Sequence, residues 1–231
     1  MPQIIALELD NKLNSDTFRI LLEHLPVEKQ AKINRFRQYE DALRTLFGEL
    51  LVRVSIMDMH GLTNDNIQFH TNRYGKPFLV HPDTFHFNIS HSGHWIVLAI
   101  DSSPVGIDIE KIQPIDLSIA ERFFSKNEHA DLIKKPPNAQ LSYFYDLWSL
   151  KESYIKYIGK GLSQDLKSFS IRCDNGIFKL TSQEEMPRCF FTQYDIDPDY
   201  KLSLCTLYKN SPSTILIKSC DELIKEFLAK K

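Results

Sequence analysis

Alternating apolar and polar positions predict a series of β-strands along this chain. The clearest case is residues 105–110, where Val105, Ile107 and Ile109 are apolar and the residues between them are glycine or acidic. Side chains two apart on a strand point to the same face, so the three apolar ones are expected to be buried together. Further strands are predicted at residues 4–9, 67–70, 85–90, 95–100, 169–173, 177–180, 189–194 and 202–207, with a tight turn at 174–176.

Apolar residues at three- and four-residue spacing predict two long helices. Residues 39–59 carry one apolar stripe, with Arg44 outside it, and Gly61 follows as the end of the helix. Residues 143–158 carry a second stripe, and Gly159 is well placed as the C-terminal cap. Shorter helices are predicted to begin at residue 26, to span 119–124, to start from the capping box at 125–128, and to occupy 221–231.

This mixture of strands and helices predicts an α+β fold. With 231 residues, of which 42% are hydrophobic, the chain is long enough for one large domain or two small ones. The polar turn at residues 101–104 is the best candidate boundary, which predicts an N-terminal half at 1–103 and a C-terminal half at 104–231. No clear sequence repeat relates the two halves.

Charge and cysteine usage narrow the function classes. A net charge of −2 argues against broad nucleic-acid affinity, which requires a basic surface. Residue Asp10 interrupts the short apolar run near the start, and the most apolar run, 95–100, is too short to span a bilayer. The four cysteines are widely spaced and nothing marks secretion, so free thiols in the cytoplasm are expected.

Two acidic motifs carry the candidate chemistry. Asp108 and Glu110 are expected on one strand face, where a hard cation such as Mg²⁺ would relieve their repulsion; the alternative is a solvated strand edge. Glu152 and Lys156 are four apart and are therefore neighbours on a helix. They are interpreted either as a third metal carboxylate beside a phosphate-binding cation, or as a surface ion pair that contributes little.

The order of these motifs resembles the paired signature of the 4′-phosphopantetheinyl transferases. The matching segments are Gly-Ile-Asp-Ile-Glu at 106–110, Arg-Phe-Phe-Ser at 122–125 through Glu128, and Trp-Ser-Leu-Lys-Glu-Ser-Tyr-Ile-Lys at 148–156. Upstream, residues 74–77 and 87–93 are also similar, so that the resemblance covers most of the chain. It is strongest to the long, surfactin-synthetase-activating type. It implies two similar α/β halves related by a pseudo-twofold axis in one chain, and therefore a monomer.

The resemblance also implies roles for individual residues. Mg²⁺, or alternatively Mn²⁺, would be bound by Asp108, Glu110 and Glu152, and Lys156 would stabilise the departing phosphate. The general base would be Glu152 or, through water, Glu128, although the capping box also explains Glu128. Coenzyme A would be bound by Lys29, Lys32, Arg44, Lys76, Ser90, His91 and Lys151. For the basic residues the alternative is a solvated surface, and for Lys151 it is a buried stem with a head that snorkels to solvent.

The function implied is the transfer of 4′-phosphopantetheine from coenzyme A to a serine of an apo carrier protein. The expected partners are peptidyl or acyl carrier domains, with nonribosomal peptide synthesis and antibiotic biosynthesis favoured by the long form. Two alternatives use the same residues: a metal-dependent nuclease or phosphoesterase, and a protein that binds coenzyme A or a carrier without turnover. Neither explains all of these segments in this order, and no membrane partner is expected.

Overall fold

The computed structural model describes residues 2–10, 13–209 and 211–231 and has a mixed α+β architecture, which confirms the predicted fold class. The helices are α1 (Ser15–Glu23), α2 (Val27–Ile33), α3 (Tyr39–His60), α4 (Ala120–Phe123), α5 (Lys126–Ile133), α6 (Pro137–Ile158) and α7 (Cys220–Lys230). The strands are β1 (Gln3–Glu8), β2 (Phe69–Thr71), β3 (Pro77–Leu79), β4 (His86–Ser92), β5 (Trp95–Asp101), β6 (Val105–Lys111), β7 (Phe169–Asp174), β8 (Ile177–Ser182), β9 (Phe190–Tyr194), β10 (Tyr200–Thr206) and β11 (Leu216–Ser219).

Two sheets are stacked between the two long helices. The first sheet has the strand order β11-β1-β5-β4, and the second has the order β6-β10-β9. Alternate residues of β5 point to opposite faces: Leu98 packs in the core beneath α3, and Val97 packs against the second sheet. Ile107 of β6 joins Val97 in that central core, and helix α6 covers the outer face of the second sheet. The layers are therefore helix, sheet, sheet and helix.

Strand β6 and helix α6 approach each other closely enough to require a glycine. A Cβ atom on Gly106 would lie 2.0 Å from the carbonyl oxygen of Ser153 and 2.4 Å from the backbone nitrogen of Tyr157. Both neighbours are backbone atoms, which cannot move aside as a side chain can. The close contact fixes the height of α6 above the residues that follow Gly106 on the strand.

Residues 216–230 complete the core of the first half of the chain. Strand β11 pairs in parallel with β1, and Leu223 and Phe227 of α7 are buried in the core that α3 covers. The predicted division at residues 103 and 104 is thus crossed by a segment that returns to the first sheet. Among the described residues, no helix combines the length and apolar character needed to cross a bilayer.

Most predicted elements are present, with differences at their ends. Helix α6 begins at Pro137, with Pro136 as its N-cap, rather than at residue 143. The apolar pattern misses the first turns of the helix because they are more exposed and carry no regular apolar stripe. The predicted loop at 134–138 therefore runs into the helix. The capping box of Ser125 and Glu128 is present, and Gly159 ends α6 at φ 70°. Elements α1, β3 and β11 are additional. The two strands have only three and four residues, whereas α1 carries Phe18, Leu21 and Leu22 at helical spacing after the N-cap Asn14.

Candidate active site

Strand β6 presents its two carboxylates to helix α6, as the alternation predicts. Asp108 forms a hydrogen bond with Lys156, and Glu110 forms one with Trp148, both of which are residues of α6. The isoleucines on either side of Asp108 are buried in the opposite direction, between the two sheets. The strand therefore separates an apolar face, which stabilises the fold, from an acidic face that is available for chemistry.

Asp108 lies at the centre of this acidic face. Its side chain is 3% exposed, and its Oδ1 atom accepts hydrogen bonds from Ser90 Oγ at 3.0 Å and from Lys156 Nζ at 2.6 Å. Burial raises the pKa of Asp108, and the charge of Lys156 opposes that increase. The second carboxylate oxygen, Oδ2, is buried without a hydrogen-bond partner. A buried, unpaired carboxylate oxygen is uncommon and indicates a position where a ligand would be bound.

Glu110 and Glu152 both have carboxyl groups that are difficult to ionise. Burial, followed by the negative charge of Asp108, raises the pKa of each to about 7. For Glu110, hydrogen bonds from Ser92 Oγ at 3.2 Å and Trp148 Nε1 at 3.2 Å act in the opposite direction. The shared influence of Asp108 indicates that three carboxyl groups converge on one region between β6 and α6.

This donor set fits a hard divalent cation, although the ammonium group of Lys156 contacts one of the three carboxylates. Three carboxyl groups with raised pKa values and one unpartnered oxygen are what an oxygen-binding cation would satisfy. Within the described ranges, however, no group of three acidic, histidine or cysteine side chains already has metal-binding geometry. The ammonium group of Lys156 contacts Asp108 there, so binding of a cation would require some rearrangement of these side chains.

Polar side chains on alternate positions of β4 connect the two sheets at this site. Asn88 Oδ1 accepts the backbone N–H of Ile107 at 2.8 Å, and Ser90 Oγ donates to Asp108. Ser92 Oγ donates to Glu110 and also accepts the backbone N–H of Lys111 at 3.0 Å. These bonds hold the edge strand of the first sheet against the edge strand of the second. They also fix the positions of both carboxylates.

A cleft lies on the other side of β4. Its volume is about 210 Å³, and its apolar surface includes Phe69, Phe87 and Ile89. Four residues predicted to bind coenzyme A lie together on its wall: Lys29 and Lys32 from α2, Arg44 from α3, and His91 from β4. Since Ser90 and His91 are consecutive on a strand, the serine reaches the carboxylates and the histidine faces the cleft. The cleft and the acidic face therefore adjoin across one strand.

The cations of the cleft are held by nearby acids. Lys29 Nζ lies 2.8 Å from Glu49 Oε2, whose other oxygen accepts a 3.0 Å hydrogen bond from Arg53. Arg44 donates to Asp41 Oδ1 at 2.6 Å through Nη2 and to the carbonyl oxygen of Gly93 at 2.8 Å through Nη1. These contacts hold positive groups at the mouth of a cleft with an apolar floor, an arrangement suited to an anionic ligand with an aromatic part.

His91 is exposed on the wall of the cleft. Partial desolvation by the surrounding side chains lowers the pKa of His91, and the positive charges of Arg44 and Lys156 lower it further. A bound anion would reverse the last two effects. The imidazole is therefore placed to gain a proton when negative charge enters the cleft.

Lys76 lies in the predicted turn but does not extend into solvent. Its Nζ donates to the carbonyl oxygen of Val105 at 3.0 Å and to that of Lys156 at 2.5 Å, and burial lowers its pKa to about 8. The solvated alternative for Lys76 is thus incorrect. From the same turn, Asn72 Nδ2 donates to the carbonyl oxygen of Gly159 at 2.8 Å. Together these bonds attach the hairpin of β2 and β3 to the C-terminal end of α6.

Lys151 and Glu128 form a buried ion pair beneath the site. Nζ of Lys151 lies 2.9 Å and 2.8 Å from the two carboxylate oxygens and 2.8 Å from the carbonyl oxygen of Phe169. The backbone N–H groups of Ser125 and Ile171 complete the four acceptor positions of Glu128. Both side chains are at most 1% exposed, so the snorkelling alternative for Lys151 is incorrect: its head is buried as well as its stem.

Several residues of the site carried no assignment in the sequence. Ser92 holds Glu110, Trp148 donates to it, and Glu49 neutralises Lys29. The signal for Ser92 is its spacing of two from Ser90, although the strand predicted at 85–90 ends before it; in the structure β4 continues to Ser92. For Glu49 it was the spacing of four to Arg53 on a predicted helix, whereas the contact with Lys29 is a tertiary one that no local pattern indicates.

Comparisons with known proteins identify the family. Residues 104–205 match the 4′-phosphopantetheinyl transferase superfamily, and residues 12–103 match the 4′-phosphopantetheinyl transferase N-terminal family. The chain is 44% identical to the 4′-phosphopantetheinyl transferase ffp of Bacillus subtilis over 96% of its own length and 100% of that protein. The chain belongs to the 4′-phosphopantetheinyl transferase superfamily.

One further relative agrees with this assignment, and one solved structure aligns with part of the chain. The 4′-phosphopantetheinyl transferase gsp of Aneurinibacillus migulanus is 38% identical over 99% of this chain and 96% of that protein. A holo-(acyl-carrier-protein) synthase from Bacillus anthracis aligns with 44% of this chain and 92% of its own, at 18% identity and a TM-score of 0.39. The family and enzyme class predicted from the motifs are confirmed, and the transferase is favoured over the phosphoesterase and the non-catalytic binding protein.

Proposed function

We propose that this protein binds coenzyme A between its cationic cleft and its acidic face and transfers the 4′-phosphopantetheine group, with Mg²⁺, to a serine of an apo carrier protein. The observation that carries the proposal is the position of β4, with His91 on the cleft and Ser90 bonded to Asp108. A nucleotide in the cleft would have its pyrophosphate beside the carboxylates. Membership of the superfamily supports the reaction class.

The metal would be held by Asp108, Glu110 and Glu152, whose carboxyl groups converge between β6 and α6. When bound, Mg²⁺ supplies positive charge that neutralises pyrophosphate oxygens and so allows a hydroxyl group to approach. Mn²⁺ satisfies the same oxygen donors and is an alternative. Ser90 and Ser92 would keep Asp108 and Glu110 oriented through their hydrogen bonds.

The transfer step uses only groups of this chain, coenzyme A and the carrier protein. The carrier serine oxygen attacks the phosphorus that bears pantetheine, and the bond from that phosphorus to the nucleotide oxygen breaks, which releases adenosine 3′,5′-bisphosphate. Glu152, one of the three carboxylates that converge between β6 and α6, accepts the serine proton. Lys156 stabilises the departing phosphate oxygen by its charge or by donating a proton. Glu128 is less suited to the role of base, because four hydrogen bonds from three donor groups already satisfy its carboxylate.

The cleft residues would bind the nucleotide end of coenzyme A. Lys29, Lys32 and Arg44 offer positive charge to the 3′-phosphate, and His91 faces the same space. Lys76 donates to two backbone carbonyl oxygens, so it would support coenzyme A binding indirectly unless it leaves them. Lys151 would likewise need to leave Glu128 to reach a phosphate, so its proposed role is support of the site from below.

The proposed acceptors are peptidyl carrier domains of nonribosomal peptide synthetases, which would place the enzyme in antibiotic biosynthesis. Near-full-length similarity to the 4′-phosphopantetheinyl transferase Sfp of Bacillus subtilis, at 43% identity, supports the long type of transferase, which favours peptide synthetases over fatty-acid carriers. The cleft and β4 come from the first half of the chain and β6 and α6 from the second, so two halves of one chain can build the proposed site, which supports a monomer. The cytoplasm, where carrier proteins and coenzyme A meet, is the proposed location.

Intact-mass spectrometry of an apo peptidyl carrier protein incubated with the enzyme and coenzyme A tests the proposal. A mass gain equal to phosphopantetheine should require divalent metal and should be lost with chelator and in a Glu152→Gln variant. A Lys160→Met variant is the control, because among the described residues the side chain of Lys160 donates a hydrogen bond only to Gln164, at 3.3 Å, beyond the end of α6. Tight coenzyme A binding without a mass gain on peptidyl, polyketide or fatty-acid carriers would refute the transfer reaction.

A further inference from the structure

The turn between β4 and β5 lies where the two halves of the chain meet. Gly93 adopts a φ of 54°, and a Cβ atom at this position would lie 2.2 Å from the hydroxyl oxygen of Tyr200. The positive φ favours glycine, and the short distance shows that the tyrosine hydroxyl occupies the space beside the turn. Tyr200 is the first residue of β10, in the second sheet, and is 4% exposed.

The hydroxyl group of Tyr200 holds the turn through the residue after Gly93. The backbone N–H of His94 donates to this oxygen at 3.3 Å, and the hydroxyl shares a second hydrogen bond of 2.9 Å with Nδ1 of the His94 ring. On the other side of Gly93, Ser92 is bonded to Glu110 and to the backbone of Lys111. Both neighbours of Gly93 are thus held by the second half of the chain.

Gly93 in turn directs a cation of the cleft. Its carbonyl oxygen accepts the 2.8 Å hydrogen bond from Arg44 Nη1, while Asp41 holds Nη2 of the same guanidinium. A planar guanidinium with two of its nitrogens fixed has a defined orientation, and Arg44 lies on the wall of the cleft. The position of the Gly93 carbonyl therefore decides where the positive charge of Arg44 is offered.

We propose that Tyr200 is a positioning residue for the nucleotide phosphate: its hydroxyl fixes the Gly93 turn, and the turn orients Arg44 toward a phosphate monoester in the cleft. This inference rests on the proposed function, because it takes Arg44 as the contact for the 3′-phosphate of coenzyme A. Tyr200 itself touches no substrate. Its effect passes through its hydrogen bonds to His94, the peptide bond between His94 and Gly93, and the hydrogen bond from Arg44 to the carbonyl oxygen of Gly93.

A Tyr200→Phe variant separates the hydroxyl group from the ring. The ring packs in the core between the two sheets and is retained by phenylalanine, so only the hydrogen bonds to His94 are lost. We expect the dissociation constant of coenzyme A to rise about fivefold, which is the effect of weakening one hydrogen-bonded contact, that of Arg44 with the phosphate. KM for coenzyme A should rise similarly, with kcat at saturating coenzyme A little changed.

The experiment measures binding of coenzyme A and of 3′-dephospho-coenzyme A by calorimetry, for wild type, Tyr200→Phe, Arg44→Met and the double variant. The penalty of Tyr200→Phe should appear with coenzyme A and be absent with the dephospho compound, which lacks the group that Arg44 meets. In the Arg44→Met background the second substitution should have no further effect. A general loss of structure would weaken both ligands equally.

Tyr194→Phe is the matched control. Tyr194 lies on the neighbouring strand β9, and its hydroxyl donates to the carbonyl oxygen of Pro212 at 3.0 Å, away from the turn. This variant should bind both compounds as wild type does. Equal losses for both compounds, additive losses in the double variant, or wild-type binding by Tyr200→Phe would each overturn the inference. A wild-type protein that binds no coenzyme A would instead refute the proposed function.

Discussion

The ammonium nitrogen of Lys156 lies 2.6 Å from Oδ1 of Asp108, and this ion pair joins helix α6 to the centre of strand β6. The spacing of Glu152 and Lys156 on the helix also allowed a simple surface pair. In the folded protein Lys156 instead reaches a carboxylate that is 3% exposed, and Ser90 accepts a second hydrogen bond from it at 2.8 Å. A lysine ammonium group is thus in direct contact with a carboxylate that is proposed to bind the metal.

Replacing Lys156 by methionine should lower turnover far more than it lowers substrate binding. The variant removes the cation proposed for the departing phosphate, and loss of such a group costs about 100-fold or more in kcat. Steady-state kinetics with a peptidyl carrier protein, at saturating coenzyme A, measures the effect. Lys160→Met, just beyond the end of the same helix, should keep wild-type kcat. Unchanged kcat in Lys156→Met would exclude a role for this cation in the transition state.

Replacing Lys151 by methionine should chiefly destabilise the fold. Glu128 would remain buried without its counter-ion, and breaking such a pair costs about 3–5 kcal/mol. Urea unfolding measures the loss. The double variant Lys151→Met with Glu128→Gln should recover part of the stability, since no buried charge is then left unpaired. A normal unfolding midpoint together with a raised KM for coenzyme A would show instead that Lys151 binds phosphate.

The stability of the metal-free protein should depend on pH through Glu110 and Glu152. Both have folded-state pKa values of about 7, above the ordinary value of 4.5, so the native state binds more protons than the unfolded state between these values. Their contribution to the free energy of unfolding therefore falls as pH rises from about 4.5 to 7. Thermal unfolding across this range, compared with a Glu110→Gln/Glu152→Gln variant, isolates the contribution; parallel curves would contradict it.

Mg²⁺ should reverse that trend. Each carboxylate must lose its proton to bind the cation, so affinity for Mg²⁺ should increase as pH rises through 7. The increase in melting temperature on adding Mg²⁺ should accordingly be larger at about pH 8 than at about pH 6. These two pH values lie on either side of the pKa of about 7 of both carboxyl groups. The double glutamine variant should show little increase at either pH. An equal increase in that variant would place the metal elsewhere.

Gly106→Ala should be severely destabilising. The added Cβ would lie 2.0 Å from one backbone atom of α6 and 2.4 Å from another, so the whole helix would have to move. We expect a loss of more than about 3 kcal/mol, with the carboxylates displaced from Lys156. Gly48→Ala in α3 is the comparison, because its Cβ would meet only the end of the Ile89 side chain, at 3.0 Å. Equal melting temperatures for the two variants would contradict the close-contact argument.

The parts of the site that the sequence predicts are those encoded by local spacing. The alternation around Asp108 predicts the two faces of β6, and the spacing of four relates Glu152 to Lys156 on one side of α6. The family resemblance identified Arg44 and His91 as candidates, which the fold brings to one cleft. None of this required knowledge of how the sheets stack.

The remaining features depend on contacts between distant parts of the chain. Lys151 lies 23 positions from Glu128, and its spacing on the helix is equally compatible with a snorkelling side chain. Only the packing of α5 and β7 around it determines that the head is enclosed. The bond from Lys76 to the carbonyl oxygen of Lys156 spans 80 positions and has no sequence pattern of its own.

The return of β11 and α7 to the first sheet determines the order in which this protein can fold during synthesis. The thiol of Cys220 contacts the carbonyl oxygen of Glu8 across 212 positions, and Phe227 fills the core under α3. Until β11 and α7 have been synthesised, the apolar surface that they cover in the first half of the chain is exposed. The second sheet and α6 can then assemble before the core of the first half is complete, although most of the first half precedes them in the chain. The cleft that is proposed to bind the nucleotide would be the last part of the enzyme to mature.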